Sequence, residues 1–148
     1  MSRSSAEMSM PPPTDTLERP LILVVDDYED TRDMYAEALE GNGYVVEVAE
    51  CGEGAVLSAC VNRPALVVMD LSMPGIDGFM AIRAIRALPE LDSTYIMVVS
   101  GSADEATRQR AKTAGCDTFI AKPLLPDELV GRIRSVLTTR FPARRAKH

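Results

Sequence analysis

The sequence predicts an α/β protein built on a doubly wound, five-stranded parallel sheet. Two patterns point there. Short apolar runs alternate five times with amphipathic stretches of about ten to fifteen residues, as expected when strands and crossover helices build a parallel sheet. The first, third and fourth runs are apolar throughout, the mark of strands covered on both faces.

The first strand is Leu21–Val25, followed by a helix whose inner face carries Met34, Ala38 and Leu39 before Gly41. Tyr44–Val48 is the second strand, and Glu47 within it marks an edge position. Ala55, Val56, Ala59 and Cys60 then share a helical face that ends before Pro64. Ala65–Met69 is the third strand, and Phe79, Ile82 and Ile85 space out the third helix, with Pro89 as its stop. Tyr95–Val99 is the fourth strand. Ser102-Ala103-Asp104-Glu105 reads as a capping box opening a fourth helix. Its inner face is mainly alanine: Ala103, Ala106, Ala111 and Ala114. That helix is expected to be weakly anchored. Thr118–Ala121 is the fifth strand, and Leu129, Ile133, Val136 and Leu137 mark the fifth helix.

Residues 1–19, rich in Ser, Pro and Thr, are expected to be a disordered tail, residues 20–139 the folded domain, and residues 140–148 a basic tail. A chain of 148 residues with 46% hydrophobic and 26% charged residues has the ordinary size and balance of one globular domain. The longest apolar runs, five residues, are far too short to cross a bilayer, and no secretory h-region opens the chain. A cytoplasmic protein without membrane contact is expected. Cys51, Cys60 and Cys116 form no CxxC pair and have no nearby histidines, which supports neither a disulfide framework nor a zinc site. The one histidine is His148, so no Ser-His-Asp or Cys-His system can be assembled. Arg140, Arg144, Arg145 and Lys147 place +4 on the last nine residues, and residues 1–19 carry −1. Of the net −6, this leaves −9 on residues 20–139, an acidic body unsuited to nucleic acid.

In an open α/β sheet, functional groups collect beyond the carboxyl ends of the strands. Here those ends carry Asp26-Asp27, Asp70, Ser100 and Lys122-Pro123. Taken singly, paired aspartates after a strand are ordinary turn residues, Ser100 an ordinary helix-start hydroxyl and Lys122 an ordinary surface lysine. Their shared location changes the balance. If the central strands are neighbours, three carboxylates, a hydroxyl and an ammonium meet in one pocket, and like charges so close need a compensating cation. All-oxygen ligands suit Mg²⁺. Mg²⁺ with a lysine and a hydroxyl on one carboxylate is a phosphoryl-transfer arrangement, with Asp70 as the nucleophile.

The segments LILVVDD, VVMDLSMPGIDGF, VVSGSA and FIAKP, in this order on alternating strands and helices, closely resemble the receiver domain of two-component response regulators over residues 20–139. The resemblance implies a flavodoxin-like sheet of strand order 2-1-3-4-5. It implies phosphorylation of Asp70 from a sensor histidine kinase or histidine phosphotransfer protein. Asp27, Asp70 and the Ser72 carbonyl would ligate Mg²⁺, Asp26 acting mostly through water. Lys122 would pair with Asp70 before transfer and with phosphoryl oxygen after it, and Ser100 would hydrogen-bond another phosphoryl oxygen. Lys122-Pro123 would be cis. Ser100 and Phe119 would be the switch residues that reshape the face formed by helix 4, strand 5 and helix 5. Phe119 lacks the hydroxyl that many relatives carry there. Ser72 and Ser102 match positions that tune loss of the acyl phosphate. The protein would then be a signalling phosphoacceptor that catalyses only its own phosphorylation and dephosphorylation, acting through an unnamed downstream protein target.

Two alternatives stand beside this one. A receiver-shaped interaction module independent of phosphate would not need the intact acidic pocket, hydroxyl and lysine. A nucleotide or flavin enzyme on the same architecture would need a GxGxxG or Gly-Lys-Ser/Thr loop, where this chain has Asp-Asp-Tyr-Glu-Asp. With only about nine residues after the fifth helix, the chain is expected to be a stand-alone receiver, like the chemotaxis regulators, or a fragment of a larger regulator or hybrid kinase.

Overall fold

The computed structural model describes residues 19–71 and 77–140. Apart from Arg19 and Arg140, the two expected tails lie outside these residues. Five strands, β1 (Leu21–Val25), β2 (Val45–Ala49), β3 (Leu66–Met69), β4 (Tyr95–Ser100) and β5 (Thr118–Ala121), form one sheet. The order is β2-β1-β3-β4-β5, and all neighbouring pairs are parallel. β1 and β5 have the bounds the sequence predicts, whereas β2 starts one residue late because the Tyr44 amide still donates to Leu39 O at the end of the preceding helix. β2, the strand with the charge, lies at the sheet edge.

The connections are α1 (Glu29–Gly41), α2 (Gly52–Asn62), α3 (Gly78–Arg86), α4 (Glu105–Ala114) and α5 (Pro126–Arg140), with a 3₁₀ turn at Pro89–Leu91. The alternating side chains of the central strands feed two separate cores. Tyr35 and Leu39 of α1 and Leu129, Ile133 and Leu137 of α5 pack on one face against Ile22, Val24, Val68 and Met97. On the other face α2 and α3 cover Leu23, Val25, Val67 and Val98, with Phe79, Ile82 and Ile85 inserted as their spacing predicts. Each large aliphatic side chain fully buried in this way is worth about 1.5–3 kcal/mol. The inner face of α1 differs from expectation: Met34 is exposed, and Tyr35 with Leu39, four residues apart, points inward.

α4 also departs from the sequence expectation. It begins at Glu105, and its cap is Asp104, whose carboxylate accepts from the Thr107 amide at 2.8 Å. An ionised side chain at the N-terminus satisfies an open N–H and meets the positive end of the helix dipole, so Asp104 takes the capping position from Ser102. Only Ala111 and Ala114 are buried in α4; Ala106 is exposed and Ala103 precedes the helix. The C-terminal end is held instead by polar bonds. Arg86 of α3 donates to Gly115 O at 2.9 Å and Thr94 O at 2.8 Å and pairs with Asp117 at 2.6 Å, while Asp117 also accepts the Ile96 amide at 2.8 Å. α4 is therefore fixed at one end and lightly held at the other.

α3 starts hard against the end of β3. A Cβ on Gly78 would come within 2.6 Å of both Asp70 O and Leu71 Cα, which are backbone atoms unable to rotate away. Gly78→Ala is expected to lose about 1–3 kcal/mol through overpacking. Gly131→Ala in α5, where a Cβ meets nothing within 4 Å, is expected to gain about 0.5–1 kcal/mol from helix propensity. Urea unfolding midpoints measure both, and shifts of the same sign would contradict the packing described.

Candidate functional site

The register of the sheet assembles the site. Val25 of β1 pairs with Met69 of β3, so Asp26 and Asp70 leave adjacent strands side by side, and the Asp70 amide donates to Val25 O at 3.0 Å. Ser100 pairs with Ala121, and the Lys122 amide donates to Ser100 O at 2.8 Å, which brings the lysine over the same end of the sheet. Strand order reverses direction between β1 and β3, and it is there that an open α/β sheet leaves a crevice.

Asp26, Asp27 and Asp70 each contribute a carboxylate oxygen to a set lying within 4.8 Å of one another. Asp26 and Asp70 are buried, at 3% and 8% exposure, whereas Asp27 opens to solvent. At such separations two unit charges repel by about 3 kcal/mol at an effective dielectric constant of about 20. Protein cations offset part of this. The Lys122 ammonium lies 3.4 Å from Asp26 Oδ2, and the Arg32 guanidinium donates to the Asp26 carbonyl at 3.1 Å. The other Asp26 oxygen accepts the Tyr28 amide at 2.9 Å. Lys122 thus pairs with Asp26, the buried aspartate that follows β1; the family resemblance implies a pairing of Lys122 with Asp70 before transfer. The Lys122–Pro123 peptide bond is cis.

Ser100, 1% exposed, is the last residue of β4. Its hydroxyl donates to Ser102 O at 3.0 Å and accepts the Ser102 amide at 3.1 Å, so among the described residues it bonds within its own loop. Ser102 itself is exposed, its hydroxyl 3.4 Å from Asp104. Phe119 is half-buried on β5 against the α2–α3 core, and the Arg108 guanidinium of α4 lies 4.8 Å from its ring centroid. Arg108 also donates to Ala103 O at 3.1 Å, linking the loop after β4 to the aromatic. Ser72, expected as a metal ligand and tuning position, lies outside the described residues.

The model of the response regulator receiver domain matches residues 22–134. The chain belongs to the response regulator receiver family. The transcriptional regulatory protein ResD of Bacillus subtilis (strain 168) is 36% identical over 116 residues, 78% of this chain and 47% of ResD. The chemotaxis protein CheY4 of Vibrio cholerae superposes with a TM-score of 0.76 at 28% identity, covering 80% of this chain and 98% of CheY4. The signal receiver domain of a signal transduction histidine kinase from Syntrophus aciditrophicus gives a TM-score of 0.74 at 28% identity, over 81% of this chain and 91% of that one. This receiver has the five-stranded, flavodoxin-like fold of CheY, and it spans about half the length of curated relatives such as ResD. No helix among its described residues is long and apolar enough to cross a membrane.

Sequence reasoning missed one residue beside this receiver's acidic cluster. Tyr35, assigned no role by the periodicity of α1, is buried at 3% exposure and its hydroxyl donates to Leu124 O at 2.8 Å. No signal in the sequence singles it out, because the helical spacing fits Met34 as the inward residue as well as it fits Tyr35. Next to it a groove of about 450 Å³ runs between α1 and the segment after β5, lined by Thr31, Met34, Tyr35, Lys122, Pro123 and Leu125 among others. Tyr28, Met34 and Leu125 expose apolar surface around the cluster and this groove.

Burial, and after it the charges of Asp26, Asp70 and Glu128, push the Tyr35 phenol above the ordinary 10.0. An acid whose value rises on folding contributes stability that is complete below its unfolded value and is lost as pH climbs through its folded one. A tyrosinate absorbance step above pH 10.0 is therefore expected in spectrophotometric titration, and Tyr35→Phe is expected to remove it. A titration curve unchanged by that substitution would contradict the assignment.

Proposed function

We propose that this receiver is an active phosphoacceptor, phosphorylated on Asp70 by a histidine kinase or a histidine phosphotransfer protein. The observation that carries this is the convergence of the Asp26, Asp27 and Asp70 oxygens with the Lys122 ammonium at one end of the sheet. Three hard oxygen donors, two of them buried, fit Mg²⁺, with Asp26, Asp27, Asp70 and the Ser72 carbonyl as the residues that would hold it. Bound there, Mg²⁺ supplies positive charge against the oxygens of a transferring phosphoryl group.

An Asp70 oxygen attacks phosphorus, and the O–P bond forms as the P–N bond to the donor imidazole breaks, the ring taking up a proton from solvent. Lys122 moves its hydrogen bonds from carboxylate to phosphoryl oxygen, so its positive charge follows the negative charge being transferred. Ser100 donates to a second phosphoryl oxygen, which requires it to leave Ser102. The space it vacates admits the ring of Phe119, and the face of α4, β5 and α5 changes shape for a downstream protein target. The light anchoring of the first turns of α4 supports this motion. The apolar groove beside Lys122 is the surface on which a donor helix can set its phosphohistidine over Asp70.

Incubation with acetyl phosphate and Mg²⁺ is expected to add one phosphoryl mass, absent from Asp70→Asn and from samples treated with a chelator. Lys122→Ala is expected to slow labelling roughly a hundredfold, the scale of losing one preorganised donor to a transferring group. Intact-protein mass spectrometry reads both. A wild type that takes up no phosphoryl group would overturn the proposal in favour of a phosphate-independent interaction module.

A further inference from the structure

We infer that Tyr35 is a positioning residue for phosphoryl transfer, its hydroxyl fixing the segment that carries Lys122 over the carboxylate cluster. The inference rests on the phosphoacceptor reading. It starts from a physical difficulty: a lysine has four rotatable side-chain bonds, and Lys122 is half-exposed with its ammonium at a long 3.4 Å from Asp26. That contact alone is a weak restraint, so the precision of the ammonium depends on the backbone beneath it.

That backbone is held at three points. The Lys122 amide is bonded to Ser100 O at 2.8 Å, the Leu124 carbonyl accepts from Tyr35 at 2.8 Å, and the Leu125 amide donates to Glu128 Oε1 at 2.9 Å at the start of α5. Of the three, only the Tyr35 bond reaches the segment from α1, the helix that follows Asp26 and Asp27 and carries Arg32. It spans 89 positions of sequence and joins the two elements whose charges must meet. The residue belongs to the same core cluster as Leu39 and Leu129 and is buried at 3% exposure, so packing restrains the donor. A leucine or phenylalanine there would fill the same core while offering Leu124 nothing. The hydroxyl is the part of this residue that packing does not explain.

The effect separates from stability by acting through Lys122. In the full chain with Mg²⁺ and saturating acetyl phosphate, Tyr35→Phe is expected to slow labelling of Asp70 roughly fivefold, the scale of one neutral hydrogen bond. The donor concentration giving half-maximal rate is expected to stay the same. Tyr35→Leu, a second variant without the hydroxyl, is expected to show the same loss. In a Lys122→Ala background Tyr35→Phe is expected to have no further effect, because the group it positions is gone. In protein free of metal and donor, ¹⁵N relaxation is expected to show lower order for the Lys122, Leu124 and Leu125 amides in Tyr35→Phe. Equal rates for wild type and Tyr35→Phe, or the same fractional loss with and without Lys122, would overturn the inference. A wild type that is never labelled would instead overturn the phosphoacceptor reading, and this inference with it.

Discussion

Three carboxylates at one end of a sheet constrain everything around them. Two are buried, and their mutual repulsion at this range is as large as the burial of a core side chain. The fold tolerates the cluster because the residues that crowd it come from regular, fully paired strands, and because cations are delivered to it from elsewhere. Arg32 arrives from the first turns of α1 and Lys122 from the end of β5. The two cores beneath are ordinary aliphatic packing, and they hold β1 and β3 in the register that sets Asp26 and Asp70 side by side. The stability of the body is thus what keeps a locally unfavourable site in place, a common relation between scaffold and function.

Most of this was legible in the sequence, and the physical reasons are specific. Strands covered on both faces must be apolar throughout, so β1, β3 and β4 were readable without any partner information, and the Glu47 charge placed β2 at an edge. Asp26, Asp27, Asp70, Ser100 and Lys122 were readable because a parallel sheet sends all its carboxyl ends the same way, so position in the chain maps onto position in space. What stayed hidden were contacts that depend on the angle of a helix. Nothing in the spacing of α1 distinguishes Met34 from Tyr35 as the inward residue until the helix is docked. The onset of α4 was misread by two residues because Ser102 and Asp104 are both good caps, and only the loop path from Ser100 decides between them. The Arg86 clamp on Gly115 and Asp117 was equally out of reach, since it joins three segments with no motif in common.

The two hydrogen-bonding arms of the site are held in opposite ways, and the difference bears on how the receiver would respond. The Lys122 arm is tied outward to α1 through Tyr35 and to α5 through Glu128. Among the described residues, the Ser100 hydroxyl is tied to the backbone of Ser102, two residues away. A bond closed within a short loop can be exchanged for one to a phosphoryl oxygen without disturbing a core, whereas moving the lysine segment would pull on both packed helices of the α1–α5 face. The movable arm is therefore the one next to α4, the helix with only Ala111 and Ala114 buried and with Arg86 fixing its far end. Arg108 lies between the two, bonded to Ala103 O in the Ser100 loop and stacked over Phe119. The guanidinium thus connects that loop to the aromatic ring. Under the proposed function, signal and anchor are separated: the charge that would engage phosphate sits on the more firmly tied side of the cleft, and the hydroxyl that would report it sits on the more lightly held side.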